Sequence, residues 1–488
     1  MRLGLQHSYA GLPSRFFARV APARVPDAKL VVLNVRLARE LGLDPDRLEP
    51  EAAAMLSGNR LPEDAQPIAM AYAGHQFGGF VPSLGDGRAI LLGELLGRDG
   101  ILRDIQLKGA GLTPFSRNGD GRAVLGPMLR EYLISEAMHA LGVPTTRSLA
   151  VVTTGEQVYR ESPLPGAVLT RVAASHVRVG TFQYFAARRD DDAVRALLEY
   201  VIARHYPDAL DAEVPALSVL KSVAQRQAAL IADWMRVGFI HGVMNTDNMS
   251  ITGETIDYGP CAFMDAYDPN TVYSSIDHQG RYAFRNQPII AQWNLARLAE
   301  TLLPLIDAQP QKAVELATAV IEPFIPEFEA RFLAGMRRKV GLSGSTERDT
   351  DLIKRLLTAM EQSHADFTLT FHGLTLTAEN PDEEPRMREL FAQSADIGSW
   401  LSDWRSAMAR DPGPLAARLA GMRAANPAFI PRNHRVQAAL EAAEAGDYQP
   451  FRTLLEVLQH PFDAQPQRSE YSQPPAPSER VLQTFCGT

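Results

Sequence analysis

Apolar and polar positions repeat with two different periods along this chain, and the change of period divides it. Up to residue 62, apolar runs are short and broken by proline. Only Leu33 to Leu43 (LNVRLARELGL) keeps helical spacing, and it stops at Gly42. From Ile68 the pattern becomes short apolar runs bounded by glycine. Met70 to Ala73, Ala89 to Leu92, Asp104 to Leu107 and Ala167 to Thr170 read as strands, and Ser148 to Thr154 with Gln157 to Glu161 read as a hairpin around Gly155-Glu156. One helix interrupts them. Leu125, Leu129, Leu133, Ala137 and Leu141 recur in four-residue steps, and Gly142 and Pro144 end the run that starts at Val124. After Gln183 the helical period takes over, over Asp191 to Tyr206, Leu217 to Val237 and Trp293 to Leu305. Helices continue to residue 460, with breaks at 341–345 and 380–385.

The pattern predicts an α+β chain, β-rich first and helical afterwards, in four parts. They are an N-terminal extension (1–62), a strand-rich part (63–186), a helical part (187–460) and a Pro/Gln/Ser-rich tail (461–488) that reads as extended. A length of 488 residues is enough for such an arrangement. A net charge of −8 argues against a surface built for nucleic-acid backbones. No apolar run reaches the roughly 18 residues of a spanning helix. The first 26 residues carry Arg2, Arg15, Arg19 and Arg24 and no acidic residue, a faint transit-peptide signal, but Pro13, Pro22 and Pro26 break any amphipathic helix there, and an ordered leading segment is expected. Two cysteines suit a reducing compartment, and the expected location is cytoplasmic. Only six of the 49 basic residues are lysine, so a lysine in a special context stands out.

The densest chemistry lies between Gly238 and Asp265 (GFIHGVMNTDNMSITGETIDYGPCAFMD). An apolar approach leads to His241 and then to Asn245-Thr246-Asp247-Asn248. Met249 to Ile251 and Thr255 to Ile256 read as a hairpin turning through Thr252-Gly253-Glu254, and it delivers Asp257-Tyr258-Gly259. Asn248 and Asp257 at its two ends can reach one hard cation through oxygen, as the catalytic-loop Asn and DFG Asp of protein kinases do. The position two residues after the histidine, where a kinase carries its base, is Val243.

Upstream, Gly74-His75-Gln76-Phe77-Gly78-Gly79 and Leu84-Gly85-Asp86-Gly87-Arg88 lie between strands. They read either as anion-binding backbone nests or as plain hairpin turns. Lys108 closes the next strand, as a solvated edge charge or as a point charge for phosphate. A glycine-rich loop over 109–122 follows it. Glu131 sits off the apolar line of the next helix, as an exposed residue or as the kinase-like partner of Lys108. Arg171 and Arg178 flank Ser175-His176, as surface charges or as a phosphate clamp.

Taken together, the segments YAGHQFGGFVPSLGDGRA, QLKGAGLTPFSRNGDGRA, GFIHGVMNTDNM and TIDYGP resemble the SelO family of protein adenylyltransferases, over nearly the whole chain. The resemblance implies a protein-kinase-like two-lobe fold, with a β-rich nucleotide-binding N-lobe, a large helical C-lobe and ATP bound in reversed orientation. It implies transfer of AMP from ATP, or of UMP from UTP, to Ser, Thr or Tyr hydroxyls of proteins with magnesium or manganese. On the resemblance Gly85, Gly87, Arg88, Lys108, Asp120, Gly121, Arg171, Arg178 and Asp257 contact the nucleotide, and Glu131 orients Lys108. Asn248 and Asp257 hold the metal, and Asp247 accepts the proton. The partners so implied are ATP and protein substrates, with no nucleic acid and no membrane, acting on a monomer. A conventional γ-phosphate kinase and a catalytically silent nucleotide-binding scaffold are the alternatives.

Relatives often pair a cysteine after this motif with one at the C-terminus. Here Tyr273 stands near the expected position and Cys261 is the only upstream thiol, so either a Cys261–Cys486 link or two independent thiols is expected.

Overall fold

The computed structural model describes residues 1–391 and 397–485. Eleven strands follow in chain order among them: β1 Phe17–Arg19, β2 Lys29–Leu33, β3 Ile68–Met70, β4 Gly74–Gln76, β5 Gly79–Val81, β6 Ala89–Leu96, β7 Leu102–Lys108, β8 Arg147–Tyr159, β9 Pro163–Ala173, β10 Phe239–Ile240 and β11 Ala262–Phe263. Seven of them form one antiparallel sheet in the order β1-β3-β6-β7-β9-β8-β2. The period of two sorts its faces. Ile90, Leu92, Ile105, Leu107, Val152, Val168 and Val172 pack against Leu37, Leu48, Met55 and Leu56 from two helices, Val35–Glu40 and Pro45–Leu56. Leu91, Val151 and Leu169 face the other way, against Leu129 and Leu133 of the Leu125–Ala140 helix.

That second face positions the chemistry. In β7 the alternation that buries Ile105 and Leu107 on one side turns Gln106 and Lys108 to the other. Register pairs Gln106 with Arg171 of β9, so both cations emerge beside the Leu125–Ala140 helix. Glu131 on that helix is buried between them rather than exposed.

Several sequence expectations change here. The hairpin expected around Gly155 does not form, because β8 runs unbroken from Arg147 to Tyr159 against β9. Gly155 (φ +74°) sits instead where the register shifts between Thr153 and Gln157, close against Asp27. Residues 1–62 are tied to the sheet by β1, β2 and a helix that periodicity missed, Pro45–Leu56. The leading segment is ordered, with the Glu94 carboxylate accepting from Ser8 N (2.8 Å), Ser8 Oγ (2.8 Å) and Tyr9 N (3.0 Å).

The later residues are helical, around the packed helices Pro215–Arg236, Gln287–Ile306 and Phe324–Lys339. No helix among the described residues is long and apolar enough to cross a membrane. The tail is not wholly extended, since it contains the 3-10 turns Pro466–Tyr471 and Pro477–Glu479. It ends with Thr484 buried against the segment after Asp257: Thr484 N donates to Tyr273 O (2.7 Å) and Ser275 N to Thr484 O (3.1 Å). Cys486 lies outside the described residues. Cys261 is fully buried, and burial pushes its thiol up to about 11, which makes it a poor nucleophile.

Candidate active site

The two-residue strands β10 and β11 pair antiparallel and close a loop over 241–261 that carries both acidic motifs. The hairpin expected inside that loop is absent. Ser250 bridges to Arg178 and Thr255 to Thr145, so the two apolar runs pair outward with other segments. Gly253 still turns the chain (φ +78°), but hydroxyls complete the turn, with Ser250 Oγ 2.7 Å from Thr252 Oγ1. His241 ties the loop's halves together. Its Nε2 lies 2.9 Å from the Ile256 carbonyl and its Nδ1 accepts from Val243 N (3.3 Å), a pattern only the neutral ring satisfies. Burial lowers its pKa accordingly. Asp257 follows in the left-handed region (φ +64°), an uncommon conformation for a side chain other than Gly, Asn or Asp.

Around Asp257 the structure gathers three cations. Lys108 Nζ is 3.0 Å from its Oδ1 and Arg171 Nη2 is 2.5 Å from the same oxygen, while Arg178 Nη1 is 2.9 Å from Oδ2. Glu131 takes the other side, 2.6 Å from Lys108 Nζ and 2.8 Å from Arg171 Nε. Burial alone raises the pKa of both carboxyls. Arg171 and Lys108 more than offset it for each, with Arg178 added at Asp257, and both are held below their ordinary values. Three cations against two carboxylates leave an excess of positive charge in a largely buried cluster, which suits phosphate. The segment between the two arginines is itself fixed. His176 Nδ1 lies 3.0 Å from buried Asp104, which also takes Arg204 at 2.6 Å, and Ala174 N donates to Glu254 (2.9 Å).

Asp247 stands on a 3-10 turn, Thr246–Asn248, and its backbone carbonyl accepts from Arg178 Nη1 at 2.8 Å. Its carboxylate is nearly buried. Gln76 Nε2 donates to Oδ2 (3.2 Å), and Oδ1 has no protein partner. Burial raises the carboxyl to about 6, against the opposing influence of Arg178 and Gln76. The ribbon β4–β5 supplies that cover. His75 N donates to Thr246 Oγ1 (2.7 Å), and Phe77 N to Asn245 Oδ1 (3.2 Å), which also accepts from Tyr282 Oη (2.6 Å). Thr246 Oγ1 donates to Gln183 (2.5 Å). A side chain at Gly74 would run into Asp247, 2.9 Å from its Cβ, so the glycine permits close approach. The first glycine motif therefore braces Asp247 rather than forming an anion nest. Gln76, Gln183 and Tyr282 are neighbours of this loop that the sequence reading missed, while Asn245 and Thr246, noted there only as part of a polar cluster, hold the covering ribbon.

The other glycines interlock. Phe115 packs where side chains at Gly85 and Gly87 would lie, Thr113 Oγ1 donates to Asp86 O (2.7 Å), and Ser116 Oγ bonds the Gly87 carbonyl. Arg88 O accepts Gly109 N (2.7 Å), and Gly121 packs on Gly111. The 109–122 loop and the Gly85–Arg88 loop thus form one unit beyond Lys108. Asp120 is not part of the Lys108 cluster. Arg160 holds its carboxylate at 2.8 Å, and it caps Arg122 N at 2.9 Å.

Among the described residues no group of three or more His, Cys, Asp or Glu side chains could hold a metal. Asn248 Nδ2 donates to Val243 O (3.0 Å), which leaves its amide oxygen available to a ligand. With Asp257, the candidate donors are hard oxygens. They fit a magnesium- or manganese-type ion that takes few protein ligands and completes its shell from phosphates and water.

Replacing Gln76 with leucine removes the side chain that, among the described residues, donates to the Asp247 carboxylate. A hydrogen bond to a charged group is worth about 1.5–3 kcal/mol, so the Asp247 carboxyl should titrate about one unit or more higher in Gln76→Leu. Titration of that carboxyl by carbon-13 NMR in the two proteins checks this, and an unchanged titration would show that Gln76 does not hold the charged form.

The family described as protein adenylyltransferase SelO matches residues 1–459. Among curated relatives, the protein named Protein nucleotidyltransferase YdiU in Rhizobium johnstonii is 61% identical over 483 residues, 99% of this chain and 97% of that protein. Its namesake in Rhodopseudomonas palustris (strain BisB18) is 61% identical over 484 residues, covering 99% and 98%. That in Rhizobium meliloti is 59% identical over 483 residues, covering 99% of both. This chain belongs to the SelO family of protein adenylyltransferases.

Proposed function

We propose that this protein nucleotidyltransferase moves AMP from ATP to Ser, Thr or Tyr hydroxyls of proteins, with Asp247 as proton acceptor and Lys108, Arg171 and Arg178 on the phosphates. One observation carries the reading. Three cations converge on Asp257, while the buried carboxylate of Asp247, attached to the same arginine through its backbone, keeps one oxygen unpartnered. The incoming hydroxyl gives its proton to Asp247 Oδ1, and its oxygen attacks the α-phosphorus. The bond from that phosphorus to the bridging oxygen breaks, and pyrophosphate leaves. Glu131 keeps Lys108 and Arg171 in place throughout. Asn248 and Asp257 would hold a magnesium or manganese ion, whose charge supports phosphate oxygens when bound. A two-lobe kinase-like division, with the sheet as one lobe and the helices as the other, is part of the same proposal.

The test uses ATP labelled at the α- or γ-phosphate, with UTP in parallel, and intact-mass analysis of modified proteins. Label from the α-position, with an increment of one AMP, is the expected result. Label arriving only from the γ-position establishes a conventional kinase, and nucleotide binding without any transfer establishes a silent scaffold.

A further inference from the structure

The ribbon that covers Asp247 also projects beyond it. Gly78, Gly79 and Phe80 at its far end are exposed, Phe80 at 40%. Arginines surround this projection. The Arg281 guanidinium lies 3.7 Å from where a side chain on Gly78 would begin. It is stacked 4.9 Å from the Trp293 ring centroid and 5.7 Å from that of Tyr282, whose hydroxyl holds Asn245 of the Asp247 loop. Arg297 lies 4.9 Å from the same Trp293 ring and is paired with the exposed Glu300 at 2.6 Å. Arg188 donates to Pro82 O (3.0 Å) at the ribbon's other end and stacks on Tyr184 at 3.6 Å.

Among the described residues neither Arg281 nor Arg188 has a carboxylate at ion-pair distance. Some exposed arginines elsewhere do have carboxylate partners, Arg331 with Glu327, Arg355 with Asp351 and Arg388 with Glu384. In a chain of net charge −8, Arg281 and Arg188 put positive charge along the ribbon that covers Asp247, with the buried Asp277 carboxylate engaged by backbone, accepting from Arg281 N (2.9 Å) and Tyr282 N (2.8 Å). Their stems are already fixed on aromatic rings, so a ligand binds them at little cost in side-chain entropy, and the planar guanidinium suits a carboxylate. His75, beneath the ribbon, has its pKa lowered by burial and then by Arg297 and Arg281, which accords with a positive field there.

We propose that Arg281, with Arg188 and Arg297 beside it, reads an acidic side chain next to the hydroxyl that is modified, so that acceptor proteins are anionic where they cross the ribbon. This rests on the reading of Asp247 as the acceptor-side base. The Lys108 cluster takes the nucleotide phosphates, and the outer arginines take the protein.

The probe is a pair of synthetic peptides with one serine, flanked by aspartates in one and by lysines in the other. Wild type, Arg281→Glu and Arg188→Glu are incubated with each peptide, α-labelled ATP and manganese at low salt. Wild type should label the aspartate peptide about tenfold faster or more, a preference that about 0.5 M salt removes. Arg281→Glu should abolish or reverse it with ATP binding unchanged, and Arg188→Glu should weaken it. The proposal is overturned by equal labelling of the two peptides, by a preference that survives in Arg281→Glu, by loss of ATP binding in that variant, or by failure to label the aspartate peptide while proteins of a cell lysate are labelled. No label on either peptide or on lysate proteins counts instead against the AMP-transfer reading itself.

Discussion

Asp257→Ala should abolish nucleotide transfer and also destabilise the protein by about 3–5 kcal/mol at neutral pH, the range for removing one partner of a buried charge network. Two consequences of one deletion are expected because Asp257 serves two sets of charges. It supplies half the candidate metal-binding pair, and it is the shared counter-ion of Lys108, Arg171 and Arg178. Without it Glu131 still pairs with Lys108 and Arg171 but not with Arg178, and Arg171, 2% exposed, is largely cut off from water. The sign with pH follows from its depressed pKa. The stabilisation from Asp257 is fully present above the ordinary carboxylate value and is lost as pH falls through the lower folded one. The difference in melting temperature between wild type and variant should therefore be wide at pH 7 and narrow under strongly acidic conditions. Because the vacated cluster is strongly cationic, polyphosphate or pyrophosphate should recover part of the lost melting temperature while restoring no transfer. A variant as stable as wild type at pH 7 would mean that the three cations do not depend on Asp257.

How much of this site could be read from the sequence depends on the range of each interaction. Lys108 and Glu131 lie on a strand and the helix after it, so chain order already suggested that pair, whereas Arg171 joins them through the β7–β9 register, which the sequence left open between a surface charge and a phosphate clamp. The bracing of Asp247 was not legible. Gln76 and Asp247 are 171 residues apart, and nothing local to GHQFGG distinguishes a glycine that admits a carboxylate from one that admits a phosphate. The two misplaced hairpins share a cause. Gly155 and Gly253 both carry a positive φ, so the local signal was sound, but the backbone partners on either side were set by distant strands and bridges. Asp120 shows the same limit: its nucleotide contact was implied by the resemblance alone, and the cation that holds its carboxylate, Arg160, lies forty residues on.

Asp247→Asn should separate catalysis from stability in the opposite direction. Asparagine preserves the shape under Gly74 and can still pair with Gln76 through its amide oxygen, yet it cannot accept the proton of the incoming hydroxyl. The transfer rate should fall by about 10²–10⁴, the usual contribution of a positioned base. Stability should rise. In the folded protein burial lifts the Asp247 carboxyl from its ordinary 3.8 to about 6, so ionising it at neutral pH works against the fold. The sign is that of a raised carboxyl: folding is favoured below the unfolded value, where the group is neutral in both states, and the advantage disappears as pH rises through about 6. Two units correspond to about 3 kcal/mol, an upper figure because the neutral amide also loses water on burial. The variant should therefore melt above wild type at pH 8 and close to it at pH 4. Wild-type transfer should itself decline below about pH 6, with the loss absent from whatever residual rate the asparagine variant retains. An asparagine variant that loses transfer and melts below wild type at pH 8 would show that the Asp247 charge stabilises the fold, and the raised carboxyl would have to be abandoned as the source of the base.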